Sequence, residues 1–167
     1  FSHNYDDYFV VDVEFGKEVK VESSRDSGNY EEVVEGLCFL GFDAELLVPE
    51  IEDISLKERV RRTNEICNKI GTKNVILISI HANAIGNGTK WEEAKGWCAY
   101  TCVGKTESDK IAEHFYRVAE KLFSDRKIRY DKSDGDSDYE AGFYIIKNSK
   151  CPAVLTENFF YDNIDDT

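Results

Sequence analysis

The sequence predicts a single α/β domain, residues 1–167, built on a twisted, mostly parallel sheet with helices on both faces. Three observations carry this expectation. Short continuous runs of Val, Ile, Leu and Phe, such as residues 75–80, have the length of buried strands. Between them lie stretches with helical apolar spacing and recognisable caps. The two kinds of element alternate, and strands separated by helices pair in parallel and need cover on both faces. A chain of 167 residues, 41% hydrophobic with ten Phe and nine Tyr, has enough apolar surface for one core.

The elements follow in order. Residues 8–15 read as a strand, apolar at Phe9, Val10, Val11, Val13 and Phe15 and interrupted by Asp12 and Glu14. Residues 23–28 have the composition of a loop. Asn29 can cap a helix to Leu40, with Val33, Val34, Leu37 and Leu40 on one face and Gly41 as its stop. Residues 43–48 form the next strand, closed by Pro49. Ser55-Leu56-Lys57-Glu58 is a capping box for a helix that runs to Gly71. Residues 75–80 and 96–102 are strands. Thr106 opens an amphipathic helix to Phe123 with a stripe of Ile111, Phe115, Val118, Ala119 and Leu122. An acidic loop covers residues 131–138, and residues 143–146 and 153–156 read as two more strands. With only two prolines, no Pro-rich linker divides the chain.

Composition excludes several classes of function. A formal net charge of −12 leaves little basic surface to displace counterions from nucleic acid or anionic lipid. No stretch approaches the roughly 20 apolar residues of a membrane helix, so no membrane insertion is expected. The five cysteines are odd in number, irregularly spaced and without a CxxC pair, which argues against a disulfide framework and a thiolate zinc site. Cys98 and Cys102 share one predicted strand, where four residues span roughly 13 Å, too far for a disulfide. They read as small buried hydrophobes. The chain starts at Phe1 and contains no Met, which reads as a trimmed or processed chain and leaves the export route open.

Two titratable residues share a placement. His81 follows directly on the strand at 75–80, and Glu157 follows directly on the strand at 153–156. In a parallel sheet the carboxyl ends of the strands lie on one edge, where ligands bind. A histidine there can offer a neutral imidazole nitrogen to a metal, and a desolvated carboxylate there can act as a general base.

These segments resemble the zinc-dependent N-acetylmuramoyl-L-alanine amidases. Ser79-Ile80-His81-Ala82-Asn83-Ala84 matches the motif in which a buried strand ends in a zinc-binding His. Pro152-Ala153-Val154-Leu155-Thr156-Glu157, with Phe159, Phe160 and Asn163 behind it, matches the segment that carries the family's catalytic carboxylate. Leu56, Arg59 and Asn64 look like the helix before the His strand, and Gly96 falls where the next strand begins. The resemblance covers roughly residues 30–163 and matches residues 1–28 poorly. It implies a Zn2+ enzyme that hydrolyses the amide between N-acetylmuramic acid and L-alanine of peptidoglycan. The implied zinc ligands are His3, Glu22 and His81, with Glu14 as an alternative to Glu22, and the implied general base is Glu157. Asn83 and Gly86-Asn87-Gly88 are expected substrate contacts.

A second register is open. Phe9 to Gly16 resembles the family's first strand, which normally ends Asp-x-Gly-His-Gly. In that register Phe15 stands where the first zinc His belongs, and the chain is a non-catalytic peptidoglycan-binding domain with a degenerate metal site. Either way the expected partner is bacterial peptidoglycan at the cell wall, reached by a secreted, periplasmic or phage-delivered protein. The sequence does not separate a lysin from an autolysin.

Overall fold

The computed structural model describes residues 8–14, 28–50, 53–86 and 89–167. Among the described residues the apolar runs assemble into one six-stranded sheet. Its strands are β1 (Tyr8–Glu14), β2 (Asp43–Leu46), β3 (Val75–Asn83), β4 (Cys98–Thr101), β5 (Tyr139–Glu140) and β6 (Ala153–Phe160), in the spatial order β2-β1-β3-β6-β4-β5. β1 pairs in parallel with β2 and β3, and β3 with β6, whereas β4 runs antiparallel to β6. The helices are α1 (Gly28–Phe39), α2 (Leu56–Ile70), α3 (Glu107–Leu122) and α4 (Tyr144–Asn148).

The predicted helix starts and stops are visible as hydrogen bonds. Ser55 caps α2 by accepting from the Glu58 amide at 3.2 Å. Thr106 and Asp109 form a reciprocal capping box on α3. Gly41, at φ 94°, lets the chain turn back after α1, with the Phe42 amide donating to Leu37 and the Gly41 amide to Cys38.

Side chains alternate across the sheet and build two cores. On one face Val10, Leu77, Ala153 and Leu155 pack with Val60 and Cys67 of α2 and Ile145 and Ile146 of α4. On the other, Trp97, Ala99, Val154 and Phe159 pack with Ala112, Tyr116 and Ala119 of α3. Helices therefore cover both faces, as the sequence predicts.

Several expectations are corrected. Residues 143–146 are not a strand; they begin helix α4. Ile145 and Ile146 are both buried in the same core, which a helix permits and a strand, with its alternating faces, does not. The α3 face against the sheet is Ser108, Ala112, Tyr116 and Ala119, while Val118 and Leu122 are exposed. Small residues let the helix lie close to the strands and leave room for one large ring. Finally, the His and Glu strands run further than 75–80 and 153–156, so His81 and Glu157 lie within them. Helix α1 starts at Gly28, so Asn29 is already helical, and Leu40, just past its end, is exposed. The cysteines form no disulfide; Cys67, Cys98 and Cys151 are buried as expected, while Cys38 is exposed.

Candidate active site

The central result of the topology is a row of residues across the sheet. Glu14 of β1 is the register partner of His81 of β3, and His81 is the register partner of Glu157 of β6. Neighbouring strands lie about 4.8 Å apart, and the side chains of His81 and Glu157, as register partners, project to the same face. His81 and Glu157 accordingly line one open pocket with Leu56, Phe143, Tyr144, Ile145 and Leu155. This is the α2/α4 face of the sheet. The extension of both strands past their predicted ends is what brings the two side chains side by side. Immediately beyond, the β3–β6 register shifts between His81 and Asn83.

A buried polar chain lies beneath His81. Its Nε2 is 2.9 Å from Ser79 Oγ, which donates to Asp12 Oδ2 at 2.8 Å. The other Asp12 oxygen is 2.5 Å from the Arg59 guanidinium of α2. Arg59 also donates to Asp53 and to the Ile54 carbonyl. Asp12, Ser79 and Arg59 are all buried. Burial pushes the His81 imidazole below its ordinary pKa; the Arg59 charge acts in the same direction and Asp12 opposes it. A neutral imidazole is the form that binds a metal.

On its other flank Glu157 is the register partner of Cys98. Burial raises the Cys98 thiol to about 11, with the Glu157 charge adding to the effect while Arg129 lowers it. Asn158 ties the strands together behind the site, accepting from Trp97 Nε1 at 2.9 Å and donating to the His81 carbonyl at 3.0 Å. Asp162 accepts from the Ile85 and Gly86 amides at 3.0 and 2.7 Å and pins the loop after β3. Asn163 donates to the Glu92 carbonyl at 2.7 Å.

Asn83 is half-buried, and its side-chain oxygen accepts from the Ala84 amide at 2.8 Å. His3, Glu22 and Phe15 lie outside the described residues, as do Asn87 and Gly88. Among the described residues no three His, Cys, Asp or Glu side chains form a metal-holding group. His81 has donor chemistry that fits zinc, and the described residues supply that one imidazole rather than a full set of ligands. His114 is exposed on α3. The sequence reading overlooked Asp12 and Ser79 as support for His81. The sequence carries the signal: Asp12 is a charge inside an apolar strand, and such a charge must be paired when buried.

The fold is that of solved peptidoglycan amidases. It matches N-acetylmuramoyl-L-alanine amidase AmiC2 of Nostoc punctiforme with a TM-score of 0.70 at 20% identity, over 96% of this chain and 83% of that one. It matches the N-acetylmuramoyl-L-alanine amidase from Clostridium difficile 630 with a TM-score of 0.66 at 22% identity, over 96% and 84% of the two chains. The sequence profile of the N-acetylmuramoyl-L-alanine amidases matches residues 31–167, and the chain belongs to that family. An endolysin of Bacillus phage SPP1 is 28% identical over 111 residues, 66% of this chain. The chain spans 36% of that endolysin's length.

Proposed function

We propose that this chain is a zinc-dependent amidase domain that hydrolyses the lactyl amide joining N-acetylmuramic acid to the L-alanine of peptidoglycan stem peptides. The observation that carries the proposal is the register pair His81–Glu157, lining one pocket in a chain of this family. His81 would hold the metal, with His3 and Glu22 as the proposed further ligands. Zinc, when bound, supplies a polarised carbonyl and a water whose pKa is lowered toward 7. Glu157 takes the proton from the attacking water and delivers it to the leaving amine of L-alanine. Asn83, the last residue of β3 and next to the loop that Asp162 holds, is proposed to contact substrate. The site of action is the bacterial cell wall, and the endolysin relative supports a secreted or phage-delivered route. No helix among the described residues is long and apolar enough to cross a membrane.

One observation favours the second reading. Residues 8–14 occupy the sheet position beside β3, with Glu14 opposite His81. This is the register in which Phe15, rather than a histidine, follows the family's first strand. It supports a peptidoglycan-binding domain with a degenerate metal site. Zinc analysis separates the two readings. A catalytic domain binds close to one zinc per chain and releases amino groups from purified cell walls, and His81→Ala loses both. A chain that binds the walls, holds no zinc and releases no amine is the binding domain.

A further inference from the structure

We propose that Ser79, anchored by Asp12, is a positioning residue that holds His81 as the Nε2–H tautomer and leaves Nδ1 as the ring nitrogen with a free lone pair for a ligand. Proton counting along the buried chain leads to it. Arg59 Nη1 sits 2.5 Å from Asp12 Oδ1, so Asp12 is an ion-paired carboxylate with lone pairs and no proton to give. Its other oxygen is 2.8 Å from Ser79 Oγ, and that contact requires the serine hydroxyl to donate. A hydroxyl has one proton. With that proton on Asp12, the 2.9 Å contact between Ser79 Oγ and His81 Nε2 is a hydrogen bond only if Nε2 carries hydrogen and donates. Nδ1 then keeps its lone pair and has no hydrogen-bond partner among the described residues.

The opposite tautomer would set two lone pairs against each other or turn the Ser79 proton away from Asp12. Either leaves a polar atom unsatisfied at a place where Asp12 and Ser79 are both 0% exposed. The anchor is also rigid. Asp12 is on β1, Ser79 and His81 are two residues apart on β3, and Arg59 belongs to α2, so three elements fix one ring. Support of this kind, in which the second ring nitrogen donates to a neighbour, orients metal-binding histidines and makes them more basic. The bearing of this chain on catalysis rests on the metallo-amidase reading; the tautomer itself does not.

The test is nitrogen–proton correlation spectroscopy on the metal-free chain, whose three histidines keep assignment simple. The expected result is an exchange-protected ring proton on Nε2 of His81. That proton should lose protection in Ser79→Ala and keep it in Ser79→Thr, which retains the hydroxyl. Zinc affinity should fall about 10–100-fold in Ser79→Ala, with an unchanged circular dichroism spectrum, and recover in Ser79→Thr. A proton on Nδ1 in the wild-type chain, or full protection of Nε2–H in Ser79→Ala, overturns the proposal. Should the wild-type chain show the expected proton yet bind no zinc, the positioning role stands and the metallo-amidase reading falls.

Discussion

Glu157 and Asp138 are two carboxylates that the fold treats differently. Glu157 lines an open pocket, so its chemistry can be isolated by a shape-conserving change. On the proposed metallo-amidase reading, Glu157→Gln is expected to retain zinc and to release amine from purified walls about 10² to 10⁴ times more slowly, the usual worth of general-base assistance. Turnover near the wild-type rate would remove Glu157 from the mechanism, and loss of zinc would make it a ligand. Asp138 is buried away from the pocket and accepts from Thr101 Oγ1 at 2.8 Å. Burial raises its pKa from 3.8 to about 7, Thr101 opposes this, and the charges of Asp136 and Asp109 add to it. Between about pH 4 and 7 the folded chain therefore holds a proton there that the unfolded chain has already released. That contribution favours folding at the acid end, fades as pH rises through about 7, and leaves a constant penalty above. Asp138→Asn should raise the melting temperature at pH 8 and leave it nearly unchanged at pH 4. An equal shift at both values would mean that the proton at this carboxylate is not the cause.

At the scale of elements, local signals and tertiary demands agree at the caps and part company where packing decides. Ser55, Thr106 and Gly41 were legible because a cap is a contact between residues a few positions apart. Residues 143–146 were not, because a short apolar run carries no periodicity that separates strand from buried helix. Here the Lys147 amide donates to the Phe143 carbonyl at 2.9 Å, and Ser149 Oγ closes the end on Ile145 at 2.7 Å. Gly96 shows a constraint set by a distant partner. It sits at φ 111°, and a Cβ there would lie 2.7 Å from the Lys127 carbonyl oxygen. The same oxygen accepts from the Trp97 amide at 2.9 Å, so it cannot retreat without losing that bond. Gly96→Ala is expected to cost about 1–3 kcal/mol, the usual cost of a residue held in a sparsely populated conformation. For a chain of this size that corresponds to a fall in melting temperature of roughly 2–12 °C. An unchanged melting curve would show that the backbone at this position can move.

On the scale of the whole molecule, a net charge of −12 opposes approach to an anionic wall, so the proposed binding to peptidoglycan would rest on short-range contacts in the pocket. Co-sedimentation with purified peptidoglycan should therefore strengthen as ionic strength rises from about 0.01 to 0.15 M, where the screening length falls from roughly 30 to 8 Å. Binding that weakens with salt would instead reveal a local basic surface. The sequence by itself determined the kind of every long element, though not of the short run at 143–146, the single α/β domain with both sheet faces covered, and His81 and Glu157 as the candidates for chemistry. Those are local properties: apolar period, caps, and a titratable residue at the end of an apolar run. Only the tertiary structure decided that β3 lies beside β6, that both strands continue past Ile80 and Thr156, and that the two residues stand in one row. It also decided that the charge at Asp12 is answered by Arg59 of α2 and relayed through Ser79 to His81. Backbone pairing in a sheet is blind to side-chain identity, so the choice of neighbouring strand comes from the packing of both cores at once, which no local stretch of sequence contains.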